Sequence, residues 1–324
     1  MPIAMRGFLI ATLFCALILP AGAQTYPNKL IRVIAPFPPG GGATEIIIRL
    51  VTPKMQEYLG QSVIIDNRAG ANGAIGSDMV ARAAADGYTL LYATSSTLAT
   101  SVYLAKNLPF DPVKDFAAIN LMASPITTFV AHPSVPVANI KELIEYAKKY
   151  PGKLTYASSG IGSMQHLTGE AFKRTTGIDM LHVPYKGAAP ATNAVIAGQV
   201  DIYFPGASAV KPLMSTGKLK ILGLLELKRY AGMPDIPTVS ETVPGFTKGA
   251  SWFAMFGPAA MPQAIIARLN AEINKALKQP DVLARFDESG TAAIGGTPEE
   301  LANLLKSDIE KTGTLIRALG IVAE

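Results

Sequence analysis

Two glycine-rich turns carry the residue types that could do chemistry in this chain. The first is Pro36-Phe37-Pro38-Pro39-Gly40-Gly41-Gly42-Ala43-Thr44. A short apolar run ends in prolines and glycines, and a helical pattern starts at once. Such turns bring backbone N–H groups and the positive end of a helix dipole close to an anion. A nucleotide P-loop would need Gly-Lys-Ser/Thr after the fourth intervening residue, but Glu45 stands five residues after Gly40. The dinucleotide spacing G-x-G-x-x-G is missing as well. The second turn, Tyr156-Ala157-Ser158-Ser159-Gly160-Ile161-Gly162-Ser163, repeats the logic. It begins like a dinucleotide fingerprint, yet Gln165 occupies the place of the third glycine. Both turns therefore read as cradles for a small anion other than a nucleotide. Ser158, Ser159 and Ser163 can cap the following helix and still leave N–H groups for a ligand.

Other chemistries find little support. His132, His166 and His182 lack the H-x-x-H or H-E-x-x-H spacing of a metal site. His166, in the first turns of a helix, reads as structural, since a protonated imidazole there opposes the dipole. The nucleophile elbow G-x-S-x-G is absent. Ser159 with His166 or His182 and Asp201 could be drawn as a hydrolase triad, but the spacing favours it no more than helix capping. No catalytic residue, metal or cofactor is expected. The net charge of +5 is spread along the chain without a basic run, which argues against nucleic acid.

The elements that must position these turns follow from the hydropathy pattern. Arg6, the apolar run Phe8–Leu19 and Ala21-Gly22-Ala23 read as a secretory signal peptide over residues 1–23, cut before Gln24. Cys15, the only cysteine, lies inside that run, so the exported chain has no thiol chemistry. Near-continuous apolar runs at Leu30–Pro36, Ser62–Asp66, Tyr88–Ala93, Lys153–Ala157, Ile178–Val183, Val200–Phe204 and Lys218–Leu225 suit buried parallel strands. Helical patterns lie between them, at Thr44–Leu59, Asn139–Lys149 and Gln263–Lys278 among others. The last helix opens with the capping box Thr297-Pro298-Glu299-Glu300. The alternation predicts an α/β chain with parallel sheets. Phe116–His132 and Phe246–Pro258 break it and read as two crossover strands. They divide the chain into a discontinuous domain, 24–124 plus 250–324, and an inserted domain, 125–249. Ligands of open α/β sheets sit at the carboxyl ends of strands, so both turns should face one interdomain cleft.

The ordered blocks Pro36–Gly41, Asp66–Gly76 (DNRAGANGAIG), Ala85–Leu91 (ADGYTLL), Leu108–Phe116 (LPFDPVKDF), Tyr156–Leu167, His182–Ala191 (HVPYKGAAPA), Gly198–Phe204 (GQVDIYF) and Ser251–Phe253 resemble the Bug family of periplasmic receptors for tripartite tricarboxylate transporters. The resemblance covers essentially all of the chain after the leader. It implies a two-domain periplasmic binding protein, or flytrap, that captures a small organic carboxylate for inner-membrane transporter subunits. It also implies a receptor, not an enzyme, and a monomer is expected. The implied ligand site lies between Gly40, Gly41, Gly42, Ala43 and Thr44 on one side and Ser158, Ser159, Gly160 and Ser163 on the other. The Asn67–Gly73 turn, Thr94–Ser96 with Ser95 at its centre, the Tyr185–Gly187 turn and Asp201 are expected at its edges, with Lys186 as a counter-charge to a distal carboxylate and Phe204 with Pro205 as a less polar wall. Three departures from the family pattern stand near the ligand: a first loop one residue longer, Glu45 in place of Asp, and Pro205 in place of a polar residue. The ligand class accordingly stays broad: a mono- or dicarboxylate, aromatic ones included, or an acidic amino acid paired to Glu45 or Asp201. Alternatives are an exported serine hydrolase, and a ligand-loaded sensor for a membrane kinase.

Overall fold

The structure is a computed structural model that describes residues 26–39, 42–249, 251–318 and 320. The expected leader, the cut before Gln24, and Gly40 and Gly41 lie outside the described residues.

After strand β1 (Ile31–Ala35) come helix α1 (Gly42–Leu59), β2 (Val63–Asn67), α2 (Ala74–Ala81) and β3 (Thr89–Thr94). β1 is apolar on both faces, with Ile31, Val33, Ile34 and Ala35 all buried, and it pairs in parallel with β2 and β3. β4 (Phe116–Pro125) then leads through Ile126 and Thr127 into β5 (Thr128–Ala131) of a second sheet. That sheet is completed by β6 (Thr155–Ser158), β7 (Leu181–Pro184), β8 (Ile202–Tyr203) and β9 (Lys220–Leu224), with helices α3 (Ile140–Lys149), α4 (Met164–Thr176) and α5 (Ala188–Ile196) between them. The chain returns in β10 (Phe253–Pro258) and ends with α6 (Gln263–Leu277), α7 (Pro280–Glu288), β11 (Thr291–Ala293) and α8 (Pro298–Ala318). The sheet orders are β11-β4-β10-β3-β1-β2 and β7-β6-β8-β5-β9.

The sheets are mixed rather than parallel. β10 runs antiparallel to β3 and β4, β11 runs antiparallel to β4, and β5 runs antiparallel to β8 and β9. The cause for β5 and β10 is the crossing itself. A strand reached through a helical crossover runs with its neighbours, whereas a strand entering from the other sheet arrives at the edge where those neighbours end. β5 follows β4 after two residues and runs against β6, β7, β8 and β9, so the carboxyl edges of the parallel strands in the two sheets adjoin.

The crossings also differ in extent from the expected strands. Phe116–His132 is broken at Ile126 and Thr127, because the Ile126 N–H donates to the Gly290 carbonyl at 2.9 Å while the Thr128 N–H donates to Pro205 at 2.8 Å. The return becomes a strand only at Phe253. A half-buried ion pair ties the two crossings. Lys248 Nζ donates to Glu226 Oε1 at 2.7 Å, to the Pro125 carbonyl at 3.0 Å and to Thr127 Oγ1 at 3.3 Å. The Thr127 N–H donates to the same Glu226 oxygen at 2.8 Å. Burial lowers the Lys248 pKa from its ordinary value, and the Glu226 carboxylate opposes that shift.

Each sheet carries apolar packing on both faces. On one face of the larger sheet, Ile47, Ile48 and Val51 of α1 meet Ile266, Leu269 and Ile273 of α6; on the other, Val80 of α2 and Leu301 and Leu305 of α8 pack with Trp252 and Phe256. In the smaller sheet Phe129, Phe172 and Phe204 centre one face, and Val130, Tyr203 and Val195 the other. The capping box of α8 forms as its spacing predicts, with Glu300 N–H donating to Thr297 Oγ1 at 3.2 Å and Thr297 N–H donating to Glu300 Oε2 at 2.7 Å.

Candidate functional site

A cavity of about 500 Å³ opens at the carboxyl ends of β1, β2 and β3. Pro36, Phe37, Pro38 and Pro39 follow β1 and form one side, with Thr44 in the first turn of α1. Ala69, Gly70, Asn72 and Gly73 follow β2, and Thr94, Ser96 and Thr97 close the end of β3. No ionisable side chain lines it among the described residues. Its side-chain donors are hydroxyls and an amide, and Thr44 stands in the first turn of α1, where the helix dipole favours negative charge. Asn67 supports the loop, donating from Nδ2 to the Phe37 carbonyl at 3.1 Å. Gly73 has φ 93°, and a Cβ there would stand 2.9 Å from Thr97 Cγ2, so the close approach of the two turns requires glycine.

Two residues on this side differ from expectation. Ser95 is buried and donates its N–H to the Trp252 carbonyl at 3.2 Å, while its neighbours Thr94 and Ser96 line the cavity. Glu45 is buried beside Arg49, whose Nε donates to its carboxylate at 2.6 Å, and it is not among the lining residues. One helical turn apart, Arg49 engages only Oε1 of Glu45, while Oε2 is buried without a hydrogen-bond partner among the described residues.

The Ser158–Ser163 turn stands at the carboxyl end of β6. Its tip meets the segment after β3: a Cβ on Gly162, where φ is 73°, would lie 2.7 Å from Leu104 Cδ1. Ser163 caps α4, its Oγ accepting from the His166 N–H at 3.3 Å. Ser159 Oγ donates to Gln165 Oε1 at 2.9 Å. Ser158 is fully buried: its Oγ donates to the Gly160 carbonyl at 3.0 Å, accepts the Gly160 N–H at 3.1 Å and lies 2.6 Å from His182 Nε2. That set of bonds assigns the Nε2 proton to His182. His166 Nδ1 accepts the Gly162 N–H at 3.0 Å, and its ring stacks on that of His182 at 4.0 Å and 8°. Burial, then the neighbouring His166, pushes His182 down to about 4, and burial lowers His166 as well. Two neutral, stacked imidazoles therefore shape this turn from beneath.

The Tyr185–Gly187 turn joins the Ser158–Ser163 turn, with Tyr185 N–H donating to Ser158 O at 2.9 Å and Gly187 N–H to Ser159 O at 3.1 Å, and no residue of either turn lines the cavity at β1, β2 and β3. Lys186 stands exposed between them. Asp201 does not join. Its Oδ2 accepts from the Thr155 N–H and Oγ1, both at 2.8 Å, at the opposite end of β6 from Ser158. A carboxylate at the amino-terminal edge of a sheet closes strands and cannot reach a ligand at the other edge. Phe204 is also corrected: it is fully buried, 4.9 Å from the Phe129 ring and 6.0 Å from that of Tyr156, and is core rather than wall. The possible triad does not assemble, since Ser159 bonds Gln165 and Asp201 is at the far strand end. Sequence reasoning missed Thr97 as a lining residue and missed the imidazole pair. The Gly-Ala-Asn-Gly composition at 70–73 hinted at the left-handed turn found there.

Two mixed α/β sheets, joined by two crossings and carrying loops at adjoining strand edges, define the fold of periplasmic solute-binding proteins. Residues 47–321 match the tripartite tricarboxylate transporter family receptor profile, and the chain belongs to that family. The solved structure of the Rhodopseudomonas palustris protein Rpa4515 with adipate is 32% identical, with a TM-score of 0.75 over 92% of this chain and 100% of that one. MatC from the same organism, with bound malate, is 31% identical with a TM-score of 0.70, covering 90% and 100%. The periplasmic binding protein BugD is 31% identical with a TM-score of 0.71, covering 92% and 100%.

Proposed function

We propose that this chain is an exported receptor that captures a small organic carboxylate and presents it to inner-membrane transporter subunits. The observation that carries the reading is the neutral cavity at the carboxyl ends of β1, β2 and β3, with the Ser158–Ser163 turn at the carboxyl edge of the second sheet. Backbone N–H groups and hydroxyls at two helix starts suit an anion without an arginine clamp. The adipate and malate found in similar proteins support the same ligand class. In this reading residues 24–124 plus 250–324 and residues 125–249 are two lobes that close on the ligand. Their closed surface is what the membrane partner meets, and the ligand favours it by its differential affinity for that state. Export places the chain in the periplasm, with the leader cut before Gln24.

Isothermal calorimetry with adipate and malate tests the reading. Stoichiometric binding is expected, without turnover. A hydrogen bond to a charged group contributes roughly 1.5–3 kcal/mol. Thr44→Ala should therefore weaken binding by about ten- to a hundredfold. A folded parent chain that binds neither adipate, malate nor other short carboxylates would sink the proposal.

A further inference from the structure

A second cavity, of about 520 Å³, lies between α4 and α8 and shares no lining residue with the one at β1, β2 and β3. Leu167 and Arg174 stand on its α4 wall, Asp308, Thr312 and Leu315 on its α8 wall, and residues 247–249 ahead of β10 close it. Spacings of three, four and seven residues put these side chains on one face of each helix. A concave space of this size between two packed sheets, with an apolar strip and a few polar groups, has the make-up of a small-molecule site.

The polar groups of its α8 wall are not fully satisfied. Asp308 and Thr312 stand one turn apart and are only 9% and 5% exposed. Asp308 Oδ2 accepts from Trp252 Nε1 at 2.8 Å, and no described residue donates to Oδ1. The Thr312 hydroxyl makes no hydrogen bond with any described residue. Thr175 and Thr314 also line this cavity, but they return their hydroxyls to the Ala171 and Glu310 carbonyls of their own helices, at 2.8 and 2.9 Å. Leaving polar groups unpaired in a buried place is costly, so a spare carboxylate oxygen and a spare hydroxyl on one face suit a donor from outside the chain. Burial raises the Asp308 pKa, while the Trp252 bond and Lys311 oppose the shift, so this carboxylate gains from a cationic partner. On the facing wall Arg174 is exposed and has no ion pair or hydrogen bond with any described residue. Lys248 reaches the same cavity, but its ammonium is engaged by Glu226, Pro125 and Thr127. Glu310 and Lys311 are exposed neighbours of opposite sign and add no net charge. The cavity thus offers an anion on one wall and a cation on the other, with leucine side chains on both.

We propose that this cavity is a second binding site, for an α-amino acid with an apolar side chain. The ligand ammonium donates to Asp308 and to the Thr312 hydroxyl oxygen, its carboxylate accepts from Arg174, and its side chain lies along Leu167 and Leu315. Bound there, it joins α4 of the smaller sheet to α8 of the larger one. The site does not depend on the receptor reading above.

Leucine is the probe. Calorimetry of the folded chain should show saturable binding, accompanied by a change in the emission of Trp252, the single tryptophan of the chain, which bonds Asp308. 4-Methylpentanoate, which lacks only the ammonium, and 3-methylbutylamine, which lacks only the carboxylate, should bind at least about tenfold more weakly. Asp308→Asn keeps an oxygen for the Trp252 N–H and loses the charge; Arg174→Gln loses the guanidinium. Each should melt close to the parent and lose about ten- to a hundredfold in leucine affinity. Thr312→Val, of the same shape, should lose about two- to tenfold. Leucine binding should persist at saturating adipate. A folded parent that does not bind leucine overturns the site, as do Asp308→Asn and Arg174→Gln chains that bind it like the parent. Displacement of leucine by adipate overturns it too, because leucine would then occupy the cavity at β1, β2 and β3. A chain that binds leucine in this way but no adipate keeps this site and loses only the receptor reading.

Discussion

The buried hydroxyl of Ser158 joins three polar groups. It accepts the Gly160 N–H, donates to the Gly160 carbonyl and receives the His182 ring N–H. Leaving a buried donor without a partner costs about 1–3 kcal/mol, so Ser158→Ala should lower stability by roughly that amount in urea unfolding. The histidines add a pH dependence with a definite sign. Burial lowers the folded-state pKa of His182 to about 4 from the ordinary 6.5, with His166 lowered too and Glu170 opposing the shift in both. The unfolded chain then binds more protons than the folded one between those values. The stability tied to the neutral rings is complete above pH 6.5 and is lost as pH falls toward about 4. Urea midpoints measured from pH 7 to pH 4 should fall more steeply for the parent than for His182→Gln. Equal slopes would show that this imidazole pair is not what senses acid.

At the scale of the element, α4 carries the Ser158–Ser163 turn onto the smaller sheet, and two positions decide how it sits. Ser163 caps its first turn, and Ser163→Ala should cost about 1 kcal/mol of stability. Gly169 faces the sheet. A Cβ at that position would collide with the ring of Tyr156, whose Oη donates to Glu170 at 2.6 Å and whose face stacks on His182 at 4.9 Å. Helix propensity alone would make Gly169→Ala stabilising by nearly 1 kcal/mol. Overpacking against an anchored ring costs typically 1–3 kcal/mol. The expected net result is therefore a lower thermal midpoint, together with a displaced His182; a raised midpoint would show that Tyr156 yields.

For the whole molecule, the Lys248–Glu226 pair is one connection between the crossings, beside the β4–β10 pairing and the Ser124 hydroxyl donating to the Ser251 carbonyl at 2.9 Å. Removing one partner of a fully buried pair costs about 3–5 kcal/mol, and a half-buried pair less. Lys248→Met should destabilise by less than that, and adding Glu226→Gln should recover part of the loss, because the remaining amide still accepts the Thr127 N–H. If the proposed lobes close on ligand, the solution scattering radius of the parent should shrink with adipate. Trp252 would report the same event. It is buried just before β10, with Nε1 donating to Asp308 of α8 at 2.8 Å, and a change in its emission on saturation marks movement at the return crossing.

Much of this architecture was legible along the chain, because it depends on local signals. Apolar runs on both faces mark β1 and β10, the Thr297–Glu300 spacing marks the start of α8, and glycine with small hydroxyl residues marks both turns. Those features express backbone sterics and solvation, which each segment carries by itself. Strand direction at β5 and β10 was not legible, since it depends on which sheet a segment enters and from which edge. The same limit applies to single side chains. Asp201 and Phe204 flank the same short strand β8, yet strand end and strand face send one to the far edge and the other into the core. Gly162 and Leu104, or Lys248 and Pro125, come together only through the crossings. The sequence by itself determined the elements, their order and the anion-cradling character of two turns. Only the tertiary structure decided which polar groups remain free to meet a ligand, because a hydrogen bond made to a distant residue cannot be read from its neighbours along the chain.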